Sequence, residues 1–93
     1  MSEKVRASHI LVATKEEALE LKDKISTPED FARYAAEYSK CPSGAKGGDL
    51  GFFGKGMMVK PFEDAAFSLS VGVVSEPVET QFGWHLILVT DKD

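Results

Sequence analysis

Arg6–Val12, RASHILV, near one end of the 93-residue chain, has a counterpart in Trp84–Thr90, WHLILVT, near the other. Both runs are short, apolar and rich in β-branched residues, the pattern of a strand. A period of two puts His9 and Leu11 on one face and Ser8, Ile10 and Val12 on the other; in the second run His85, Ile87 and Val89 share a face opposite Trp84, Leu86 and Leu88. Between the two runs the signals are mostly helical. Strands at both ends with helices between them predict an α+β domain whose first and last strands are central neighbours. In that arrangement the only two histidines of the chain can meet.

Working inward, Thr14-Lys15-Glu16-Glu17 has the form of a capping box, so a helix is expected to start there with Ala18, Leu21 and Ile25 as its buried stripe. Thr27 followed by Pro28 restarts the helical signal, since threonine caps well and proline at the first position has no donor to waste. Phe31, Tyr34, Ala35 and Tyr38 recur at one-face spacing in this second helix. Pro61 opens a third, with Phe62, Ala65, Ala66 and Leu69 inward, Glu63 and Asp64 at the favourable end of the dipole, and Gly72 as the expected stop. Leu50–Phe53 is expected to be a short edge or bulged strand. Pro77 holds Val73–Val78 at an edge or just short of a strand, and residues 80–83 form a turn.

Cys41–Phe62, CPSGAKGGDLGFFGKGMMVKPF, is the least ordinary stretch. It concentrates six glycines, the only cysteine, two of the three methionines and three phenylalanines. Glycine frees the backbone for close approach, and so many apolar groups would be costly to leave in water without a purpose. The mixture is that of a site wall. A phosphate loop does not fit, because Asp49 stands where the leading glycine belongs and Gly56 stands where Ser or Thr should bind magnesium.

The length allows one domain, expected to cover residues 1–93, with 43% hydrophobic and 28% charged residues as in an ordinary globule. A net charge of −4 argues against nucleic acid as the main partner. No segment approaches a membrane span, the first residues lack a signal-peptide pattern, and a single cysteine excludes an internal disulfide. These features lead to the expectation of a cytoplasmic monomer with no membrane partner. The initiating methionine and the lack of a linker suggest a complete protein.

His9, His85 and Cys41 are the side chains that titrate nearest neutral pH. Singly, each has an ordinary structural explanation, and together with Asp49 they also invite comparison with a metal site. The sequence spacings are not those of common zinc motifs, however, so neither metal nor cofactor is expected.

Four motifs in order carry a resemblance that runs nearly end to end: Ala7-Ser8-His9-Ile10-Leu11-Val12; Cys41-Pro42-Ser43-Gly44 with Gly47-Gly48-Asp49-Leu50-Gly51; Met58 to Phe62 with Glu63 and Asp64; and Thr80-Gln81-Phe82-Gly83-Trp84-His85. The chain resembles the parvulin-type peptidyl-prolyl cis/trans isomerases. The resemblance implies a four-stranded antiparallel sheet wrapped by helices in the order βαααβαββ, the third of the early helices being the Pro42–Lys46 turn. It implies catalytic roles for His9, His85, Cys41 and Thr80, with the threonine hydroxyl bonded into the histidine pair. It also implies a pocket for the substrate proline ring made by Leu50, Met58, Phe62 and Phe82; from the residues alone Leu50 and Phe82 serve as well as ordinary core. Expected partners are proline-containing segments and unfolded or folding proteins.

Cys41 is open to two roles, nucleophilic addition to the substrate carbonyl or a hydrogen-bonding part in a reaction that breaks no bond; relatives with aspartate there favour the second. The basic loop carried by phosphate-requiring relatives is missing, because Val12-Ala13-Thr14 passes straight into a helix and the chain holds only two arginines, Arg6 and Arg33. A phosphorylation-independent enzyme is therefore expected. The competing expectation is a proline-directed binding module without catalysis.

Overall fold

The computed structural model describes residues 4–92, so the ends of the expected 1–93 domain, residues 1–3 and 93, lie outside the described residues. The elements are β1 (Lys4–Val12), α1 (Lys15–Lys24), α2 (Pro28–Tyr38), a 3-10 turn (Pro42–Lys46), β2 (Asp49–Gly54), α3 (Lys60–Ser68), β3 (Val78–Thr80) and β4 (Gly83–Lys92). They form one antiparallel sheet in the order β2-β1-β4-β3. The two end runs of the sequence are thus its central pair, as their pattern required.

Alternation along that pair divides the core. Ile10, Val12, Leu86 and Leu88 meet Ala18 and Leu21 of α1 and Phe31 and Ala35 of α2 on one face. Val5, Ala7, Ile87 and Val89 meet Phe62 and Ala66 of α3 and Phe53 of β2 on the other. Each fully buried aliphatic or aromatic side chain contributes about 1.5–3 kcal/mol, so a sheet covered on both sides is what a chain this short needs.

The helix starts follow local chemistry. Thr14 Oγ1 accepts from Glu17 N at 3.2 Å and Thr27 Oγ1 from Asp30 N at 3.1 Å. The first box is not reciprocal as expected, because the Glu17 carboxylate takes the Thr14 hydroxyl at 3.4 Å instead of a backbone donor. Three further readings are corrected. Tyr38 is 52% exposed although it shares the spacing of Phe31 and Ala35: as the last residue of α2 it lies outside the core cluster, its ring 6.0 Å from that of the half-buried Tyr34. Ile25 caps α1 from outside the helix, half-buried. α3 ends at Ser68 with Leu69 as its cap, four residues ahead of the glycine expected to stop it.

β2 is an edge strand whose pairing with β1 shifts register between Arg6 and Ser8, in keeping with its glycines. β3 begins directly after Pro77, which has no donor for a ladder, and its three residues pair with Gly83–His85. Upstream of it the segment meets β4 without forming a strand: Val74 bridges to Leu88, Gly72 N donates to Val89 O at 2.9 Å, and Ser75 N donates to Ile87 O at 2.8 Å.

Candidate active site

The α3 face of the central pair carries His9 on β1 and His85 on β4. In the register Leu11 lies opposite His85 and His9 opposite Ile87, so the imidazoles are diagonal neighbours on one face. Their rings stack at 5.1 Å and 17°, with the two Nδ1 atoms 3.0 Å apart. Both are buried, at 5% and 4% exposure. Phe62 stands edge-on to each ring, with centroids at 5.5 Å and 5.3 Å.

Each outer ring nitrogen has a hydroxyl. Thr80 Oγ1, at the end of β3, lies 2.8 Å from His85 Nε2, and Ser43 Oγ lies 3.1 Å from His9 Nε2. Ser43 donates in turn to Cys41 Sγ at 3.3 Å, and Thr80 accepts from Phe82 N at 3.1 Å. Two Nδ1 atoms at hydrogen-bond distance require a proton on one and a lone pair on the other. With Ser43 donating to sulfur, its oxygen accepts from His9 Nε2–H, so His9 Nδ1 accepts from His85 and His85 Nε2 accepts from Thr80. The bonds then run in one direction, from Thr80 through His85, His9 and Ser43 to Cys41, and both imidazoles are neutral.

Electrostatics agree. Burial, and secondarily the positive charge His85 would carry, push His9 down from 6.5 to about 4; burial also lowers His85. The unfolded chain therefore takes up a proton near the ordinary histidine value while the folded one resists until about pH 4. Stability is complete above about pH 6.5 and falls as the pH drops toward 4, with a loss from His9 of roughly 2–3 kcal/mol by about pH 4.5. Urea midpoints taken near neutrality and in this acid window should converge for the His9→Gln variant relative to wild type. Equal pH dependence in both proteins would contradict the assignment.

Above the pair lies a cavity of about 470 Å³ whose lining is almost wholly apolar. Leu50, Met58, Phe62 and Phe82, all expected to hold the proline ring, line it together with Cys41, His9 and His85. Their roles in it differ. Phe62 is buried, Leu50 and Met58 are half-buried, and Phe82 stands 64% exposed at the rim. Asp49, weighed with them as a metal ligand, turns to a separate cavity, where its carboxylate pairs with Arg6 at 2.7 Å. That guanidinium holds the Asp49 carboxyl below the usual carboxylate range.

The sequence reading missed Ser43 and Ser39 as site residues. Ser43 links the cysteine to the histidines. Ser39 Oγ accepts from Leu11 N at 3.0 Å and from Cys41 N at 3.3 Å, fixing the start of the cysteine loop to β1. The available signal was a hydroxyl two residues to either side of the lone cysteine, beside a proline that shapes the 3-10 turn. Met57 also lines the cavity unanticipated, and its sulfur accepts from Gly54 N at 3.3 Å.

This geometry agrees with the comparisons. The family model of the PPIC-type PPIase domain matches residues 1–93. The chain belongs to that family, the parvulins. Foldase protein PrsA of Geobacillus sp. (strain WCH70) is 57% identical over 91 residues, which cover 97% of this chain and 33% of the foldase. The chain thus spans about a third of the length of the curated relatives it matches. Among solved structures, PrsA of Bacillus anthracis superposes with a TM-score of 0.94 at 42% identity, over 99% of this chain and 43% of that one. The parvulin of Nitrosopumilus maritimus does so with 0.87 at 50% identity, over 98% and 99%. As a parvulin domain, the chain is a peptidyl-prolyl cis/trans isomerase, and the βαααβαββ order is the family's own.

Proposed function

We propose that this parvulin isomerises Xaa-Pro bonds of unfolded and folding proteins without forming a covalent intermediate and without requiring phosphorylation before proline. The apolar cavity set over two neutral imidazoles is the observation that carries the reading. Rotation must overcome an amide barrier of ~18–20 kcal/mol, and the twisted bond has lost resonance and carbonyl polarity. A buried, uncharged floor suits that state better than the planar ones, while the cavity wall grips the proline ring. A thousandfold acceleration needs only about 4 kcal/mol of this preference.

Two observations support the absence of covalent attack. His9, held near 4, is neutral at physiological pH, so the histidine pair supplies no imidazolium partner for a thiolate. It also reaches Cys41 only through Ser43. Cys41→Asp should therefore keep activity within about tenfold; loss of nearly all activity in a folded variant would restore the nucleophile.

Phosphate independence is supported by the two-residue connection Ala13-Thr14 between β1 and α1, and by the arginines. Arg6 is paired with Asp49 away from the cavity, and Arg33 with Asp30 on α2 at 3.3 Å. Magnetisation exchange on a panel of Xaa-Pro peptides, with and without phosphoserine before proline, tests the proposal. Acceleration of the unphosphorylated set supports it, and turnover confined to the phosphopeptide rejects it. That the relatives are named foldases supports folding chains as partners. Cytoplasmic placement rests on the sequence alone, and fractionation of the source cells checks it.

A further inference from the structure

Among the described residues a single fully charged side chain, Lys40, lines the cavity above the histidines. It is exposed, and among the described residues its ammonium pairs with no carboxylate, whereas Lys22, Lys24 and Lys60 each hold one. Its backbone is fixed on both sides. Lys40 N donates to Leu11 O at 2.8 Å, and the neighbouring Cys41 N is held by Ser39 Oγ. The lysine is thus rooted between β1 and the cysteine loop, and it is the charged member of the lining of a cavity that otherwise offers a substrate almost no polar surface. The imidazoles below it are neutral and do not compete.

We infer that Lys40 selects among substrates by charge, favouring Xaa-Pro segments with a carboxylate side chain flanking the proline. The inference rests on the general isomerase reading above. The chain carries a net charge of −4, so an acidic segment approaches against the mean field and the lysine supplies a local reversal of sign. An exposed, flexible ammonium gives a modest preference and no absolute requirement. The expected size is about threefold in kcat/KM at low ionic strength.

The test compares glutamate with glutamine, placed immediately before or after proline in otherwise identical peptides, so that only charge differs. Wild type should show the Glu/Gln ratio of about three at one or both positions, shrinking toward one in about 0.5 M salt. Lys40→Arg should keep the ratio, Lys40→Gln abolish it, and Lys40→Glu invert it. Because the ratio is taken within each protein, it is insensitive to any common loss of activity. A ratio near one in wild type, with the glutamine peptides still accelerated, overturns this inference alone. So does a ratio unchanged in Lys40→Gln, which would assign the preference to another cation. Turnover of phosphopeptides only would overturn the general isomerase reading and this inference together.

Discussion

Phe62→Ala is expected to cut kcat/KM for proline peptides about a hundredfold and to remove roughly 3–5 kcal/mol of stability. The side chain serves both purposes at once. It is 3% exposed in the core beneath α3, it touches both histidine rings edge-on, and it forms a wall of the cavity. Truncation leaves a void against Phe53, 6.1 Å away between centroids, and floods the floor of the site with water, so the differential grip on the twisted bond is lost with the packing. A domain this size has only about 5–15 kcal/mol in hand, so activity must be normalised to the folded fraction. Phe62→Leu separates the two effects. It should cost under about 1.5 kcal/mol because volume is nearly conserved, yet still lose about tenfold in kcat/KM because the aromatic edge is gone. Full activity in a folded Phe62→Leu protein would show that Phe62 is core alone.

Gly48→Ala is expected to destabilise the fold by at least about 3 kcal/mol and to disconnect the histidine pair. Gly48 has φ +84°, and a Cβ placed there would lie 2.3 Å from the His9 carbonyl oxygen and 3.2 Å from the Ala35 side chain. The same glycine accepts from His9 N at 2.9 Å, so its backbone helps to fix the position of β1 at His9. Relief of the clash moves β1 at His9 itself. The 3.0 Å contact between the imidazoles should open, which their ring-nitrogen NMR resonances would report. Gly51→Ala is the matched control: φ is +71°, but nothing lies within 4 Å of the added carbon, so only the left-handed strain of roughly 1–2 kcal/mol should appear. Equal losses in the two variants would mean that backbone strain, not the contact with His9, sets the cost.

Legibility in the sequence varied with the range of the interaction. The stripes of α1 and α2, the threonine caps and the alternation of the end strands depend on neighbours three or four residues away, and they were readable. Tyr38 was misplaced because spacing reports which face of a helix a residue occupies, not whether the core extends to the helix's last residue. The end of α3 was misplaced because no capping side chain marks it and Leu69 continues an apolar pattern into the following loop. In the site, the grouping of the histidines and the cysteine with the residues that line the cavity was recognisable from motifs. Ser43 and Ser39 were not, since a serine in a glycine-rich loop is ordinary until its partner is known.

What the sequence by itself determined was the class of fold, the central position of its two end strands, and the face on which His9 and His85 must stand. A period of two leaves a strand residue only two sides, and the apolar series that follows each histidine decides which side is buried. What only the tertiary structure decided was the connection among those residues. The diagonal register that puts the Nδ1 atoms in contact, the loop that brings Ser43 between His9 and Cys41, the turning of Asp49 away to Arg6 and the placement of Lys40 in the cavity lining all join residues far apart in the chain. Hydrogen bonds and ion pairs act over about 3 Å, and no pattern of spacing along a chain resolves that distance between strands.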